Sequence, residues 1–465
     1  MVRIPKAQRA NPQSIFPRRP LVSLALFSAA PPSLAPSKPS QAKPSQARLC
    51  PPLALPPPPP PPSILSLPRL LLSSSPPPSP SVSLPYDELV IAVGARTNTF
   101  DIPGVSVHAL YMKDLGDALA LQRRMLNQLE KGAALLAAGG TEAAVDEACS
   151  WVVVGGGPTG VEVTAEICDF VNNEVERFFP TLRGRVKVTL VEGTGKILGT
   201  FDPSISEYAA KTLREQGAAV LLNSPLSSAY AVSITIASPK GSSAPPLTLP
   251  HGLLVWSGGI APLPLTLSLA DSVRRLSPPS PPPRSRPRGL PINGDLSVLG
   301  LPQSLGAYAL GDCAAGASPP TAQSAYQQGH YLGRRLRGGH LRRRLVHEGG
   351  TMTAGKPDED EEEPFRDVNY GSLAYVGGGK GVADLKMLLW EHHPRKDVGG
   401  GEGTILSGGG AFAIWRSIYF AKLLSARNRA QVLFDWTQVQ FFGRDITTPF
   451  IEERSTLSEA QRPPK

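Results

Sequence analysis

Glycine and acidic residues are missing from the first part of this chain. Its 465 residues include 45 glycines, but none lies before Gly94, and no Asp or Glu precedes Asp87. A segment without glycine cannot form the glycine-rich turn by which many folds hold a phosphate group. Residues 1–85 are instead rich in Pro and Ser, with seven consecutive prolines at positions 56–62. This composition predicts a disordered segment.

The excess positive charge lies in that same segment. The formal net charge is +9, and residues 1–86 carry nine Lys or Arg, so the other 38 basic residues balance the 38 acidic ones. The basic pI therefore gives no support to a nucleic-acid surface. An acid-free leader with scattered Arg and Ser is typical of an organelle transit peptide, with the mitochondrion ahead of the chloroplast. Non-native coding sequence is the alternative interpretation of this segment.

Cysteine is scarce, and long apolar runs are absent. Cys50, Cys149, Cys168 and Cys313 form no C-x-x-C pair and have no zinc-binding spacing. We therefore expect a reduced compartment, no disulfide chemistry and no metal site. No stretch of 18 apolar residues occurs, which predicts no transmembrane helix. The acidic run at 358–363 lacks the spacing of a calcium loop, so we expect no calcium control.

A strand, a glycine turn and a helix are predicted at residues 151–175. The apolar run at 151–154 predicts a buried parallel strand, and residues 161–175 a helix. Between them, Gly155, Gly157 and Gly160 have the G-x-G-x-x-G spacing. The first allows a tight turn, the second lets a pyrophosphate approach the backbone, and the third lets the helix pack on the strand. A second strand, at 186–191, ends in Glu192, which favours a dinucleotide site over a glycine-rich loop without function.

The rest of the chain predicts an α/β fold. Apolar runs predict strands at 87–93, before Gly94, at 218–222 and from 253 into a turn at Gly259. Residues 232–237 and 247–249 predict an antiparallel ribbon. Helices are predicted at 113–131, from Asp202 as a cap to near 217, up to about 336 after Thr321, and as a pair within 411–442. Three stretches are expected to be irregular, namely a connector at 139–150, a disordered insertion at 271–289 and a solvated basic loop at 334–344.

The motifs resemble a known family when they are taken in order. They are Val153-Val-Gly-Gly-Gly-Pro-Thr-Gly-Val-Glu162, Thr189-Leu-Val-Glu192, Val255-Trp-Ser-Gly-Gly, Tyr308-Ala-Leu-Gly-Asp-Cys-Ala, Ala322-Gln-x-Ala-x-Gln-Gln-Gly, and the tail motifs Trp415-Arg-Ser-Ile-Tyr and Phe434-Asp-Trp. This set is similar to two-dinucleotide-binding-domain flavoproteins and, among them, to type II NADH dehydrogenases, the single-subunit NADH:quinone oxidoreductases. The resemblance covers residues 86–448 apart from the insertions. It implies an α/β, Rossmann-like fold with a parallel sheet, and FAD and NADH as cofactors.

The resemblance assigns cofactor roles residue by residue. Gly155, Gly157 and Gly160 would cradle the NADH pyrophosphate, and Glu192 would bind the adenosine ribose and disfavour the 2′-phosphate of NADPH. Gly311 and Asp312 would bind the flavin ribityl chain, although a strand-end Asp can also be a plain turn residue. The glycine turns at Gly94 and Gly259 would also approach the cofactors. The family's first G-x-G-x-x-G unit, for the ADP part of FAD, has no counterpart before Gly94, so this half is incomplete.

Two acids and a group of amides are the candidates for quinone chemistry. Glu162 and Glu166 lie four residues apart on one helix face, and the resemblance places the first near the flavin and the quinone. A carboxylate there could hold the nicotinamide or relay a proton, and a solvated helix face is the alternative. Ala322 is small enough to let a flat ring approach. The side chains expected to hydrogen-bond quinone carbonyls, or else to form an ordinary helix start, are Gln323, Gln327 and Gln328.

The last part of the chain is aromatic, basic and amphipathic over residues 411–442. Such a helix pair suits a protein that lies on an anionic bilayer, where quinone is dissolved. Burial on the core or in a homodimer is the alternative. The organisation expected is a leader at 1–85, a remnant of the FAD domain at 86–150, an NADH domain at 151–260, a return to the FAD domain at 261–340, a charged linker at 341–364 and a membrane-anchoring region at 365–465.

We therefore predict a peripheral protein of the mitochondrial inner membrane that passes a hydride from NADH to FAD and two electrons to quinone without pumping protons. A catalytically inactive nucleotide-binding relative, or a truncated gene product, is one alternative. A soluble flavin-dependent reductase is another, and the lack of a cysteine pair counts against it.

Overall fold

The computed structural model describes residues 69–73, 81–238, 245–277, 288–316, 318–347, 363–385, 404–423, 425–444 and 446. The chain divides into two compact units. We call residues 95–261 with 368–465 the nucleotide unit, and residues 1–94 with 262–367 the flanking unit.

A parallel sheet of five strands forms the centre of the nucleotide unit. Its strands, in spatial order, are Leu110–Tyr111, Leu253–Trp256, Ser150–Val154, Lys187–Val191 and Ala218–Leu221. Val152 of the middle strand pairs with Thr189 on one side and Leu254 on the other. Trp151 and Val153 belong to the core on one face of the sheet, and Val152 and Val154 to the core on the other. Burial on both faces is why this strand is apolar without alternation.

Helices and a small antiparallel sheet cover the two faces. The larger core contains residues of the helices Leu115–Ala137, Glu142–Cys149, Pro158–Phe170 and Pro203–Glu215. The smaller core contains residues of the short helix Val105–His108 and of the antiparallel strands Leu226–Ala229, Ser233–Ile236 and Leu247–Pro250. Asp202 caps its helix as predicted, because its carboxylate accepts the Ser204 backbone N–H at 2.9 Å and Pro203 follows.

The C-terminal residues are part of the nucleotide unit. The strands Ser372–Gly377 and Lys380–Leu385 form an antiparallel hairpin, which we call the C-terminal hairpin, and Thr404–Gly408 adds a third strand. The helices Gly409–Lys422 and Ala426–Phe442 follow. We call Pro158–Phe170 the glycine-turn helix, because it begins at the predicted glycine turn. Ala374, Tyr375 and Val376 of the hairpin share the larger core with residues of this helix.

The flanking unit contains shorter strands. Leu89–Ile91 pairs in parallel with Ala307–Ala309, and Leu290–Pro291 pairs in parallel with Ala314–Ala315. Arg69–Ser73 and Ser81–Pro85 form an antiparallel pair.

The remaining described elements belong to both units. They are the helices Pro264–Leu276 and Ala322–His347, the π-helical turn Val171–Val175, the helix Glu176–Phe178, the short strands Ala95–Thr97 and Ile260–Pro262, and 3-10 turns at Pro180–Leu182, Gln303–Leu305 and Gly311–Cys313.

Four local predictions were wrong. The connector expected at 139–150 contains the helix Glu142–Cys149, because Thr141 caps it and Val145 and Cys149 are buried. The insertion expected from Asp271 begins within the helix Pro264–Leu276, and the basic run at 334–344 continues the helix Ala322–His347. Within the predicted disordered leader, residues 69–73 and 81–85 are paired strands. The rest of that leader, the insertion from 278 to 287 and most of the acidic run lie outside the described residues.

The sequence analysis expected no transmembrane helix and no disulfide chemistry, and the described residues bear on both expectations. No helix in the described part of the chain is long and apolar enough to cross a membrane. Cys149, Cys168 and Cys313 are buried free thiols, and burial raises the pKa of all three, that of Cys168 to about 12. Thiols held in this state are poor nucleophiles.

We expect His251 to make the stability of the nucleotide unit depend on pH. It lies 1% exposed just before the strand Leu253–Trp256. The pKa of its imidazole is lowered, because the effect of burial is larger than the opposite effect of the backbone groups of Tyr230 and Ser233. A His with a lowered pKa in the folded state contributes stability above its ordinary pKa and loses it as the pH falls below that value.

We therefore expect the melting temperature of the wild-type protein to fall between about pH 7.5 and about pH 5.5, because His251 must be protonated at a cost in the folded state. His251→Gln should show a smaller fall, because Gln does not titrate. His330 is exposed and is not among the groups that shift the pKa of His251, so His330→Gln is the matched control and should behave like the wild type. Equal pH dependence in all three proteins, measured by differential scanning fluorimetry, would contradict this role of His251.

Candidate nucleotide site and adjoining cavity

The predicted glycine turn joins the middle strand of the sheet to the glycine-turn helix. Gly155 has φ +112°, which side-chain-bearing residues rarely adopt, and its N–H donates to the Val191 carbonyl at 2.8 Å. A Cβ on Gly160 would lie 1.8 Å from the Gly155 carbonyl oxygen, so only glycine lets the helix approach the turn this closely. The first and third glycines therefore have the structural roles that the spacing predicted.

Gly157 leaves room for a ligand. It is the N-cap of the glycine-turn helix, no side chain caps that helix end, and a Cβ added here would meet nothing within 4 Å. The first N–H groups of the helix therefore remain available to a phosphate, at the positive end of the helix dipole. An open, uncapped turn of this kind fits the pyrophosphate of a dinucleotide.

Glu192 reaches back to the glycine turn. Its carboxylate accepts the Gly156 backbone N–H at 2.5 Å and the Thr194 backbone N–H at 2.7 Å. The acid thus lies at the carboxyl end of the neighbouring strand and beside the turn, which is the position expected for a ribose-binding residue. The long spacing from Gly160 to Glu192 is taken up by the rest of the glycine-turn helix, the π-helical turn Val171–Val175 and two short helical turns.

Ser257 and Trp256 complete the turn region; the sequence analysis quoted both in a motif but assigned neither a role. The Ser257 hydroxyl donates to the carbonyls of Val154 at 2.9 Å and of Gly155 at 3.1 Å. It therefore ties the end of one strand to the start of the glycine turn. The Trp256 indole N–H donates to the Asn98 carbonyl at 2.8 Å and positions the turn at Gly259, which has φ +66°. A polar residue directly after a buried strand was the available signal.

Glu162 faces the C-terminal residues of the chain. One oxygen of its carboxylate accepts the Trp415 indole N–H at 3.0 Å and the Tyr375 backbone N–H at 3.2 Å. Burial raises the pKa of this carboxyl, the hydrogen bonds from Tyr375 and Trp415 lower it, and the charge of Glu166 raises it. Glu166 lies on the same helix face, as predicted, and forms an ion pair with Arg444 at 2.6 Å.

Both acids line one cavity of about 540 Å³ in the nucleotide unit. Most of its wall is apolar side chain from the helix Leu115–Ala137 and the glycine-turn helix, including Leu121, Met125 and Phe170. Tyr375, Trp415, Arg444 and Ile446 contribute from the C-terminal residues. The cavity is thus an apolar space with carboxylates at its polar end, which suits a ring or chain that must exchange a proton.

A buried hydrogen-bond network holds the C-terminal hairpin on the glycine-turn helix. The Tyr375 hydroxyl donates to the Asp169 carboxylate, which also accepts the Gly378 backbone N–H at 2.9 Å. Burial, and then the hydrogen bond to Asp169, raise the pKa of the Tyr375 hydroxyl. The turn of the hairpin needs glycine, since Gly377, Gly378 and Gly379 all have positive φ. This network was not predicted, because its partners are 206 and 209 residues apart.

In the flanking unit, one predicted quinone ligand already has a partner. The Gly311 N–H donates to the side-chain carbonyl of Gln328 at 2.7 Å, and Gln328 is 4% exposed. Gln323 and Gln327 are half-buried and Ala322 is exposed at the start of the helix Ala322–His347. Asp312 is half-buried within the turn Gly311–Cys313. Among the described residues, no cluster of His, Cys, Asp and Glu could hold a metal.

Comparison with known proteins shows the family to which this chain belongs. Residues 77–272 match the family model described as pyridine nucleotide-disulphide oxidoreductase, and residues 370–445 match the NDH2 C-terminal domain. The class is thus a pyridine nucleotide-dependent oxidoreductase with an NDH2-type C-terminal region. A probable NADH dehydrogenase of Dictyostelium discoideum is 31% identical over 370 residues, which are 78% of this chain and 69% of that protein. The chain belongs to the family of type II NADH dehydrogenases.

Two further comparisons agree with that family. A probable mitochondrial NADH-ubiquinone oxidoreductase of Schizosaccharomyces pombe is 32% identical over 391 residues, 78% of this chain and 65% of that relative. The chain thus spans less than two thirds of the length of this relative. The NDH2 of Plasmodium falciparum, solved in complex with NADH, is similar with a TM-score of 0.65 and 25% identity over 79% of this chain and 80% of that one.

The glycine turn makes a test of nucleotide binding possible. Gly157→Ala should keep the wild-type melting temperature but weaken NADH binding about tenfold or more, because its methyl group would occupy the space of the pyrophosphate. Gly160→Ala should lose both stability and binding, because its methyl group would meet the Gly155 carbonyl. Binding would be measured by isothermal titration calorimetry. Gly333→Ala is the control, because an added Cβ there would have no atom within 4 Å. Wild-type affinity for NADH in Gly157→Ala would contradict pyrophosphate binding at the glycine turn.

Proposed function

We propose that this protein is a membrane-surface NADH:quinone oxidoreductase that does not pump protons. The observation that carries the proposal is the arrangement of one helix. The glycine-turn helix begins at an open glycine turn. Within its next turns, it presents Glu162 to an apolar cavity that is also lined by residues of the NDH2-type C-terminal region. NADH would be oxidised and a quinone would take up two electrons and two protons.

NADH would be held by the turn and by Glu192. Gly155, Gly157 and Gly160 give the pyrophosphate access to the helix N–H groups. Glu192 would accept the ribose hydroxyls and repel a 2′-phosphate, so NADH would be preferred to NADPH. The S. pombe relative is named for NADH, whereas a relative of Solanum tuberosum is named for NAD(P)H, so the proposed preference rests on Glu192.

Glu162 is our candidate for the proton step. Burial raises the pKa of this carboxyl, and a group whose pKa is moved toward neutrality exchanges protons more readily at the working pH. Glu166, joined to Arg444, would be the second acid of the relay. Ala322, Gln323 and Gln327 are proposed to contact the quinone ring. Gln328 would support this segment through Gly311, since its carbonyl accepts the Gly311 N–H.

The residues present fit the flavin half of FAD better than its ADP half. Gly311, with φ +71° and only Ala325 near the site of a Cβ, leaves the strand end open beside Asp312, as a flavin side chain requires. Gly94 has φ +70° and nothing within 4 Å of an added Cβ. The ADP half would need a glycine turn, and residues 1–93 contain no glycine. The chemistry that FAD supplies when bound is two-electron transfer between NADH and quinone.

The last helix supports attachment to a membrane surface. None of the described residues of Ala426–Phe442 is buried, and Phe441 and Phe442 are 76% and 73% exposed. Exposed aromatic side chains on a helix that also carries Arg427 and Arg429 in its first turn suit the interface of an anionic bilayer. We place the protein on the mitochondrial inner membrane, because several relatives are named as mitochondrial proteins. The chloroplast is the alternative. Burial of the C-terminal helices in a homodimer remains the alternative to membrane anchoring.

Two other functions stay open to test. An inactive nucleotide-binding relative would keep the glycine turn and lose flavin chemistry. A soluble flavin-dependent reductase of the dithiol type is disfavoured, because the described cysteines are buried and unpaired.

The full chain, purified and supplied with FAD, should oxidise NADH in the presence of a short-chain quinone. We expect little flavin to remain bound after purification, and FAD to activate only a few-fold better than FMN, because the ADP half lacks its glycine turn. The flavin absorption spectrum and the rate of NADH oxidation measure this. A protein that binds NADH but shows no flavin spectrum and no turnover with either flavin would be the inactive relative.

Membrane attachment has its own test. Replacing Phe441 and Phe442 by Asp should reduce binding to vesicles of anionic phospholipid about tenfold or more, because the exposed rings would no longer enter the interface. Co-sedimentation measures the bound fraction. Gln438→Asp with Gln440→Asp adds the same charge on the same exposed helix, so its smaller effect controls for electrostatic repulsion. Equal losses in the two double variants would exclude anchoring by the rings.

A further inference from the structure

The carboxylate of Glu162 is held by two donors from the C-terminal residues. The Trp415 indole N–H lies 3.0 Å from the carboxylate oxygen Oε1, and the Tyr375 backbone N–H lies 3.2 Å from the same atom. The donors are 253 and 213 residues away along the chain. The orientation of this side chain is therefore set by elements outside the dinucleotide fold.

The Trp415 ring is itself held in place by other rings. It lies 4.7 Å from the Tyr419 ring and 5.9 Å from the rings of Phe412 and Tyr375, measured between centroids. Packing on several sides fixes the direction of the indole N–H, so this hydrogen bond does not depend on a mobile side chain.

We propose that Trp415 is a positioning residue for Glu162, whose indole N–H fixes the carboxylate at the cavity wall and favours its charged form. The proposal rests on the function proposed above, in which Glu162 exchanges the proton. Trp415 does not itself touch the reacting atoms in this account.

The charges around Glu162 make the direction of the effect clear. Glu166, on the same helix, opposes a second negative charge, and Arg444 partly offsets it through its ion pair with Glu166. Tyr419 faces Glu162 from the Trp415 helix, and its pKa is raised by burial first and by Glu162 second. Against burial and Glu166, the two N–H donors are what stabilise the carboxylate. Removing one donor should make Glu162 easier to protonate.

The experiment measures Glu162 directly in the full chain. Protein labelled with ¹³C at the glutamate side-chain carboxyl is titrated by NMR, and Glu162→Gln identifies the signal of Glu162. Trp415→Phe keeps an aromatic ring and loses the donor. The matched control is Trp436→Phe, because Trp436 makes no described contact with Glu162. We expect the Glu162 midpoint to move upward by about half a pH unit or more in Trp415→Phe and to stay in place in Trp436→Phe.

A second readout does not depend on the folding of Trp415→Phe. The chain has five tryptophans, and the Trp415 indole donates to the Glu162 carboxylate. The total tryptophan emission of the wild-type chain should therefore change as Glu162 titrates, and Glu162→Gln should abolish that change. An unchanged midpoint in folded Trp415→Phe, or an emission titration that persists in Glu162→Gln, would overturn the positioning role. Quinone reduction separates the two ideas. If the midpoint moves as expected but the pH profile of turnover does not follow, the positioning role stands and the proton role of Glu162 fails.

Discussion

The nucleotide unit depends on the close contact between Gly160 and the glycine turn. With a side chain at this position, the helix could not lie against Gly155. The glycine turn and the acids of the helix would then both change position. The first turn of the helix has the uncapped N–H groups that we propose for a phosphate, and its next turns carry Glu162, Glu166 and Asp169. Because all these residues belong to one rigid helix, a single backbone contact sets the position of the nucleotide turn and of the acids together.

Glu162 and Asp169 show how the C-terminal residues become part of this unit. A buried carboxylate is costly unless hydrogen bonds satisfy it, and hydrogen bonds to a charged group contribute about 1.5–3 kcal/mol each. Asp169 is satisfied by Tyr375 and Gly378, and Glu162 by Tyr375 and Trp415. The C-terminal hairpin and the Trp415 helix therefore belong to the folded unit, in addition to any role that the last helix has at a membrane.

The end of the chain returns to the same helix. After the last helix, the Arg444 backbone N–H donates to Glu174 of the π-helical turn at 3.0 Å, and its side chain pairs with Glu166. Arg177 donates to the carbonyl of Phe442 at 3.0 Å. Glu174 lies in the π-helical turn, and Arg177 lies in the short helix Glu176–Phe178 that follows it. The cavity is lined by residues from both ends of the unit's sequence, from Met112 to Arg444 and Ile446.

The sequence determined the local parts of this protein: the buried strand, the three glycines, the acid at the end of the next strand and the capped helix at Asp202. Each follows from neighbouring residues, whose backbone requirements are visible in a short stretch. The same local reasoning failed at 139–150 and 334–344, where small or charged residues are helical because of caps, buried neighbours or continuation of a helix. Only the tertiary structure decided which side chains meet Glu162, that Gln328 supports Gly311, and that Ser257 joins two strand ends. Those contacts bring together residues 17 to 253 positions apart, and chain spacing alone does not encode which distant donor a buried carboxylate will find.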